Sequence, residues 1–351
     1  MSTPDTSTSP SLRQGSGQAT ELRTGLSTSV ATRITDVIPT GERKHRGLLE
    51  EVWHNFKKNR LSLAGGIIVM IAAVVAVFAP VLAPHNPVQQ FDDPPGQHSP
   101  LPPLSRSEEG TLFLLGSDKF GRDILSRAIY GCRTLLELAT GSIAIAFTLG
   151  VLMGGVAGYR KGTWIDELIM RVVDVMLSFP TLVLAIALLG AFGIGKTQIG
   201  PITLSNMFKI AIVIAITYSP AFARVMRGVV LQEMAEDYVD AAKMSGGSGW
   251  QILTGEIFVN TIPPLIVQAS LNMATTVLTS ASLSFLGLGL QPPRPSLGIM
   301  LNEARDYLFL GAWWYPLVPG VFILLIILGF NLLGDGLRDS LDPWQARRAR
   351  Q

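Results

Sequence analysis

Apolar residues concentrate in six stretches, at roughly 61–82, 135–158, 166–190, 208–230, 262–288 and 312–333. Each is long enough to cross the roughly 30 Å hydrocarbon core of a bilayer as a helix. The pattern predicts an all-α, polytopic membrane protein with six transmembrane helices, which places both termini on one side. Basic residues choose the side. Arg160 and Lys161 follow the second run, Arg224 and Arg227 end the fourth, and Arg347, Arg348 and Arg350 close the chain. The excess of Lys and Arg in cytoplasmic segments makes both termini cytoplasmic. The first external loop is less one-sided: Arg106, Lys119, Arg122, Arg127 and Arg133 are balanced there by Asp92, Asp93, Glu108, Glu109, Asp118 and Asp123.

Ahead of the first run, residues 1–45 are rich in Ser, Thr, Gly and Pro without apolar periodicity, which predicts a disordered cytoplasmic tail. No apolar stretch resembling a cleaved leader occurs there, so the first hydrophobic segment reads as a retained anchor. Residues 46–60 mix Val52, Trp53 and Phe56 with Lys57, Lys58 and Arg60, the composition of an amphipathic helix at a membrane interface. Residues 61–134 comprise the first transmembrane helix and a long external loop. That loop contains a proline-rich connector from Asp92 to Ser105, where fixed backbone angles and missing amide donors disfavour helix and sheet. Residues 135–343 form the transmembrane core, and 344–351 a short cytoplasmic tail.

Composition agrees with a membrane chain: of 351 residues, 48% are hydrophobic and only 15% charged, against about 25% charged in soluble domains. The mean hydropathy is +0.37. A net charge of +2 with scattered basic residues provides no electropositive face for nucleic acid. Cys132 is the sole cysteine, and His45, His54, His85 and His98 show no metal-ligand spacing on one helix face, so neither disulfide nor metal centre is expected. No histidine falls in an apolar run, which removes the nucleophile–base pair of an intramembrane hydrolase. Gly190–Thr197 (GAFGIGKT) fits the spacing of a phosphate-binding loop, but it follows a membrane helix and runs into Gly200 and Pro201 where a helix should begin. Nucleotide binding is therefore not expected there. Arg171 and Asp174, three apart in the third run, have the spacing of an interfacial ion pair.

Between the fourth and fifth runs lies EDYVDAAKMSGGSGWQILTGEIFVNTIPP, Glu236 to Pro264. Glu236 to Met244 has helical propensity, Gly246, Gly247 and Gly249 interrupt it, and Trp250, Ile252, Leu253, Ile257 and Phe258 resume an apolar pattern. Helix, glycine turn, helix is the prediction. Glu236, Asp237 and Asp240 place negative charge at the first helix's start, where its dipole favours it, and Ala241 and Ala242 permit close approach of a partner's backbone. The fifth run is unusually polar for a lipid-facing helix, with Gln268, Ser270, Asn272, Thr275, Thr276, Thr279, Ser280 and Ser282. Gln268, Asn272 and Thr276 are the candidate lining of a translocation path, beside the plainer reading that these groups join helices.

The Glu236–Pro264 segment resembles the EAA loop of ABC importer permeases, in which Glu-Ala-Ala is followed by Gly and then by Ile and Pro. The matching positions are Asp240, Ala241, Ala242, Gly246 and Ile257; Asp240 replaces the usual glutamate, and Val259 stands where proline is common. Four further stretches are similar to the dipeptide/oligopeptide/nickel family, specifically its second, C-type permease: Leu115–Arg133, Ile165–Leu188, Ser282–Gly298 and Phe330–Pro343. The resemblance implies the type I ABC importer permease fold, with the EAA loop at 231–261 as the coupling element. It implies a non-catalytic subunit paired with a second permease, two ATPase subunits that bind ATP and magnesium, and an external substrate-binding protein, in the cytoplasmic membrane of a prokaryote. No cofactor is implied for this chain. Glu236, Asp240, Ala241, Ala242 and Gly246 are then the expected contacts to the ATPase. Peptides are the expected solute, with nickel or another small solute as the alternative within the family. A stand-alone secondary transporter would need charged relays or internal repeats, and neither stands out.

Overall fold

The computed structural model describes residues 56–57, 59–91, 100–107, 110–193, 197–199 and 202–341. The expected terminal tails, most of the interfacial helix at 46–60 and much of the proline-rich connector lie outside these residues.

Helix α1 spans Arg60–Val77 and, after a break at Phe78, continues as the single turn α2, Ala79–Leu82, where Pro80 occupies a position that needs no amide donor. A two-residue hairpin, β1 (Ser105–Arg106) with β2 (Leu112–Phe113), follows in the loop. Helix α3, Ile124–Tyr159, is 36 residues long, about 54 Å at 1.5 Å per residue. It starts well before the apolar run that predicted it, because the Asp123 carboxylate caps it, accepting from the Ser126 amide at 2.9 Å and the Ser126 hydroxyl at 2.5 Å.

The third apolar run is not one straight span. It is α4 (Trp164–Leu177) and α5 (Thr181–Phe192), which meet at 102°. Pro180 has no amide hydrogen and pushes Phe179 out of helical geometry, so the chain turns at Ser178–Pro180. The described residues thus hold five helices long and apolar enough to cross a membrane, and six spans when the bent pair counts as one. After α5 comes a second short hairpin, β3 (Thr197–Ile199) with β4 (Ile202–Leu204). A strand, not a helix, begins at Thr197, so the structural context of a phosphate-binding loop is missing; Ile194, Gly195 and Lys196 lie outside the described residues.

Helix α6 (Asn206–Glu233) packs along α3 through small residues: Gly150, Gly154 and Gly158 recur every fourth position, and side chains there would collide with Phe222, Ala223 and Val230. A Cβ at Gly158 would stand 2.8 Å from that of Val230. Pro220 within α6 frees the Ile216 carbonyl, which the Ser219 hydroxyl takes up at 3.0 Å. Then follow α7 (Asp237–Met244), α8 (Gly249–Gln251), a π-helical turn (Ile252–Ile257) and α9 (Phe258–Phe285), most of which is the polar fifth span. Helix α10 (Leu297–Ala304) returns at the far end, and α11 (Trp314–Leu341) packs on α1, with Gly65 beneath Leu332 and Leu333 and Gly336 beneath Ser62.

At the far end a buried ion cluster ties the loop before α3 to α10 and α11. Asp118 accepts from the amides of Phe120 (2.8 Å) and Arg122 (3.0 Å), from Arg122 Nε at 2.6 Å and from Arg127 Nη1. Both guanidinium groups also reach Glu303, at 3.1 and 3.2 Å, and Tyr315 donates to the same carboxylate at 3.4 Å. Two carboxylates balance two guanidinium groups in a site where Asp118 is fully buried. Burial nevertheless outweighs the neighbouring Arg127 and pushes Asp118 up to about 6; Glu303 is raised for the same reason.

Candidate functional site

The segment from Glu233 to Asn260 forms a hairpin at one end of the bundle. Its first arm, α7, carries Asp237 and Asp240 in its first turn and Lys243 in its last, all favourable to the helix dipole. Only Val239 is fully buried, and Ala242 packs partly against the α3–α6 core. Glu236, Asp240, Ala241 and Gly246 are exposed. The five residues expected to act together therefore share one short element, four of them at its surface and Ala242 on its inner flank.

Helix α7 ends in a Schellman arrangement: Gly247 N–H donates to Ala242 O at 3.1 Å and Gly246 N–H to Lys243 O at 3.0 Å. Gly246 has φ +84°, and a Cβ there would meet nothing within 4 Å. Its role is conformational, since the left-handed backbone is what a side chain resists. Ser248 then starts α8 with a reciprocal capping box, Gln251 N–H to Ser248 Oγ at 3.4 Å and Ser248 N–H to Gln251 Oε1 at 2.9 Å. Turn and restart are both written locally, which is why helix, glycine turn, helix was legible in the residues.

Two features of this hairpin escaped the sequence reading. Met244 is 84% exposed and Trp250 64% exposed, so the turn presents an apolar pair rather than continuing the apolar face of α9. Their flanking by Lys243, Ser245 and Ser248 was the available signal. Beneath the turn, Glu233 Oε2 accepts from Tyr238 Oη at 2.5 Å and from Asn260 Nδ2 at 2.9 Å, with Asn260 Nδ2 also 3.2 Å from Tyr238 Oη. One carboxylate thus joins the end of α6, the start of α7 and the start of α9. Burial and the bond to Glu233 both hold the Tyr238 hydroxyl in its protonated form, above the ordinary tyrosine range. The π-helical turn, with its poorer i to i+5 bonding, lies between the hairpin's second arm and the membrane-spanning part of α9.

Nearby, Arg227 on α6 forms a bidentate pair with Asp166 on α4, at 2.7 and 2.9 Å. Asp174 pairs with Arg224 at 2.7 Å and not with Arg171, because α4 lies against α6 and the interhelical partner is aimed at the carboxylate. On α9, Gln268 Nε2 donates to Asn272 Oδ1 at 3.0 Å. Asn272 and Thr276 are buried, and neither Asn272 Nδ2 nor Thr276 Oγ1 has a hydrogen-bond partner among the described residues. Thr279, by contrast, bonds Tyr218 of α6 at 2.8 Å, a plain helix-joining contact.

Comparison with known proteins adds the lineage. Residues 146–347 match the family of binding-protein-dependent transport system inner membrane components. Residues 47–103 match the N-terminal transmembrane domain of oligopeptide transport permease C. The di/tripeptide transport system permease of Pseudomonas aeruginosa is 40% identical over 84% of this chain and 92% of its own length. The dipeptide transport system permease of Escherichia coli K12 is 41% identical over 84% and 93%. A glutathione transport system permease of Pectobacterium atrosepticum is 37% identical over 84% and 90%. Among solved structures, a chain of an inward-facing methionine ABC transporter is similar over 61% of this chain and 96% of that one, with TM-score 0.47 and 19% identity. By its family match and by the extent and identity of these relatives, the chain belongs to the binding-protein-dependent transport system inner membrane components, as a multi-pass, non-catalytic permease of an ABC importer.

Proposed function

We propose that this permease is the second of two in an importer of di- and tripeptides, and that the Glu236–Gly249 hairpin is its coupling element. One of two ATPase subunits would grip the hairpin in the cytoplasm, a second permease resting on the other would complete the path, and an external binding protein would deliver the solute. The observation that carries the reading is the hairpin itself: a short acidic-to-basic helix with one exposed face, whose ends are fixed by backbone bonds and whose base is bonded to two spans. A rigid exposed element on a membrane bundle is what transmits force from a partner. Glu236, Asp240, Ala241, Ala242 and Gly246 are assigned to this contact. Both termini are cytoplasmic on this reading, and the Asp118 cluster is external.

Gln268, Asn272 and Thr276 are assigned to the translocation path. Their support is the pair of buried polar atoms left without partners, which a solute amide or water would satisfy. Peptide as solute rests on the names of the relatives and on this amide-matched chemistry. Purification of the chain from native membranes tests the reading. Co-isolation with an ATPase pair and a second permease, together with ATP-dependent uptake of a labelled dipeptide by the reconstituted complex, is expected. Isolation of the chain alone, or uptake that needs no ATP, would overturn it.

A further inference from the structure

One face of α3 is at odds with a lipid environment. Arg133 and Glu137 pair at 2.8 Å while remaining 40% and 46% exposed. At helical spacing below them, Thr140, Gly141, Ala144 and Thr148 are at the surface too. The pair is not beyond the membrane. Cys132 Sγ lies 3.7 Å from the carbonyl of Ala72, well inside α1. Val69, Ala73 and Val77 of α1 form an apolar groove of about 540 Å³ against Arg133 and Glu137. An ion pair open to hydrocarbon at this depth is costly, and charged groups in spans face protein or water.

Cavities lie on both flanks, and each carries charged side chains in a mostly apolar wall. Opposite the α1 groove, Glu137 and Gly141 also line a cavity of about 890 Å³, whose other wall includes Asn206, Gln291 and Arg294. The Arg294 guanidinium rests on the Met207 sulfur at 2.9 Å, with no carboxylate in salt-bridge range among the described residues. We propose that this face of α3 is a wall of the aqueous solute path in the assembled importer, and that Arg133 and Glu137 exchange their mutual contact for the charged ends of a passing peptide. Glu137 would receive the ammonium end, and Arg133 or Arg294 the carboxylate. The inference rests on the importer reading above and adds to it the helix that bounds the path. Asn272 and Thr276 are buried within the subunit, whereas the α3 face lies open at its boundary.

The experiment uses the reconstituted complex with Cys132→Ala and a single cysteine at Thr140→Cys, Ala144→Cys or Thr148→Cys. Charged, membrane-impermeant thiol reagents are expected to modify this chain, at rates that differ at least fivefold between nucleotide-free and ATP-trapped complex. Reaction with lipid-soluble maleimide alone, or with neither reagent, overturns the proposal. In parallel, Glu137→Gln is expected to raise the KM for dipeptide uptake at least fivefold, with assembly read separately from the co-purified subunit ratio. A KM within twofold of the parent overturns the exchange role. An unsubstituted complex that fails to couple ATP to uptake would sink the importer reading itself, a result distinct from unreactive cysteines in an active complex.

Discussion

Tyr238→Phe removes one oxygen from the link beneath the coupling hairpin and leaves the ring's packing in place. In the parent, the Glu233 carboxylate holds Tyr238 at 2.5 Å and Asn260 at 2.9 Å. A hydrogen bond to a charged group is worth about 1.5–3 kcal/mol when shielded. Tyr238 is half-buried and Asn260 exposed, and we take about 1–1.5 kcal/mol for the bond lost, at or just below the bottom of that range. Since about 1.4 kcal/mol is a factor of about ten in an equilibrium constant, α7 in the variant should visit detached arrangements roughly five to ten times more often. Only attached α7 passes force to α6 and α9 together, so peptide uptake per ATP hydrolysed should fall, by at most that same factor of about five to ten. The assay is paired uptake and hydrolysis in proteoliposomes containing the whole complex. Glu233→Gln should act in the same direction, and the double variant should lose little more than the worse single one, because both changes break one link. Independent, multiplying losses, or an unchanged uptake-to-hydrolysis ratio in Tyr238→Phe, would refute the reasoning.

Three further outcomes are expected. Gly246→Ala forces a side chain into φ +84°, a strain of about 1–2 kcal/mol; uptake should fall, and Gly246→Asn, better tolerated in that conformation, should recover part of it. Gly154→Val drives a branched side chain into Ala223 and Met226 and should cost about 1–3 kcal/mol by overpacking, read as a lower yield of folded protein, whereas Gly190→Ala, with open space around its Cβ, should be neutral. The Asp118 carboxyl is raised from 3.8 to about 6, so between those values the folded state holds a proton that the unfolded chain has released. Stability from this group is therefore greatest below about pH 4, falls as pH rises to about 6 and is level above about 7, a span of roughly 3 kcal/mol at about 1.36 kcal/mol per pH unit. The unfolding midpoint of the parent, measured against Asp118→Asn, should accordingly gain on acidification from about pH 7 to about pH 4, and a pH-independent difference would count against the burial argument.

The spans were legible because hydropathy over some twenty residues outweighs local detail, and the hairpin because caps and left-handed glycines are local chemistry. What stayed hidden depended on tertiary partners. The start of α3 at Ile124 lay outside the apolar window because Arg127 and Arg133 count as charges there, although Asp118, Glu303 and Glu137 pair with them in space. The loop charges around Asp118 looked like solvated, balanced residues; their burial depends on α10, whose Glu303 stands 181 positions beyond Arg122 in the chain. Asp174 finds Arg224 rather than Arg171 for the same reason. Pro180 was visible, but a proline inside a membrane run bends or breaks a helix according to its neighbours, and here the break reaches 102°.

The placement of the Glu233 link bears on how one short helix can move a whole bundle. Helix α7 touches no span along its exposed face, so force entering there leaves through its inner side, where Val239 and Ala242 pack on the α3–α6 core, and through its base. At that base one route runs through Glu233 into α6, which is fastened to α3 by the glycine face and to α4 by the Arg227–Asp166 pair. The other runs along the hairpin's second arm, α8, and through the π-helical turn at Ile252–Ile257 into α9. The two routes differ in stiffness: the first is close-packed and doubly bonded, and the second contains the helix's weakest hydrogen-bonded segment. A displacement of α7 would then carry α3, α4 and α6 as one body while α9 follows through the π turn and the Asn260 bond, so that the packing between α9 and the α3–α6 pair shifts. Removing the π turn by deleting one residue within Leu253–Glu256 would stiffen the second route and rotate the hairpin by about 100° relative to α9. Restoring register with a compensating insertion beyond Pro264 should not rescue coupling if differential stiffness is what matters, and full rescue would show that register alone was at stake.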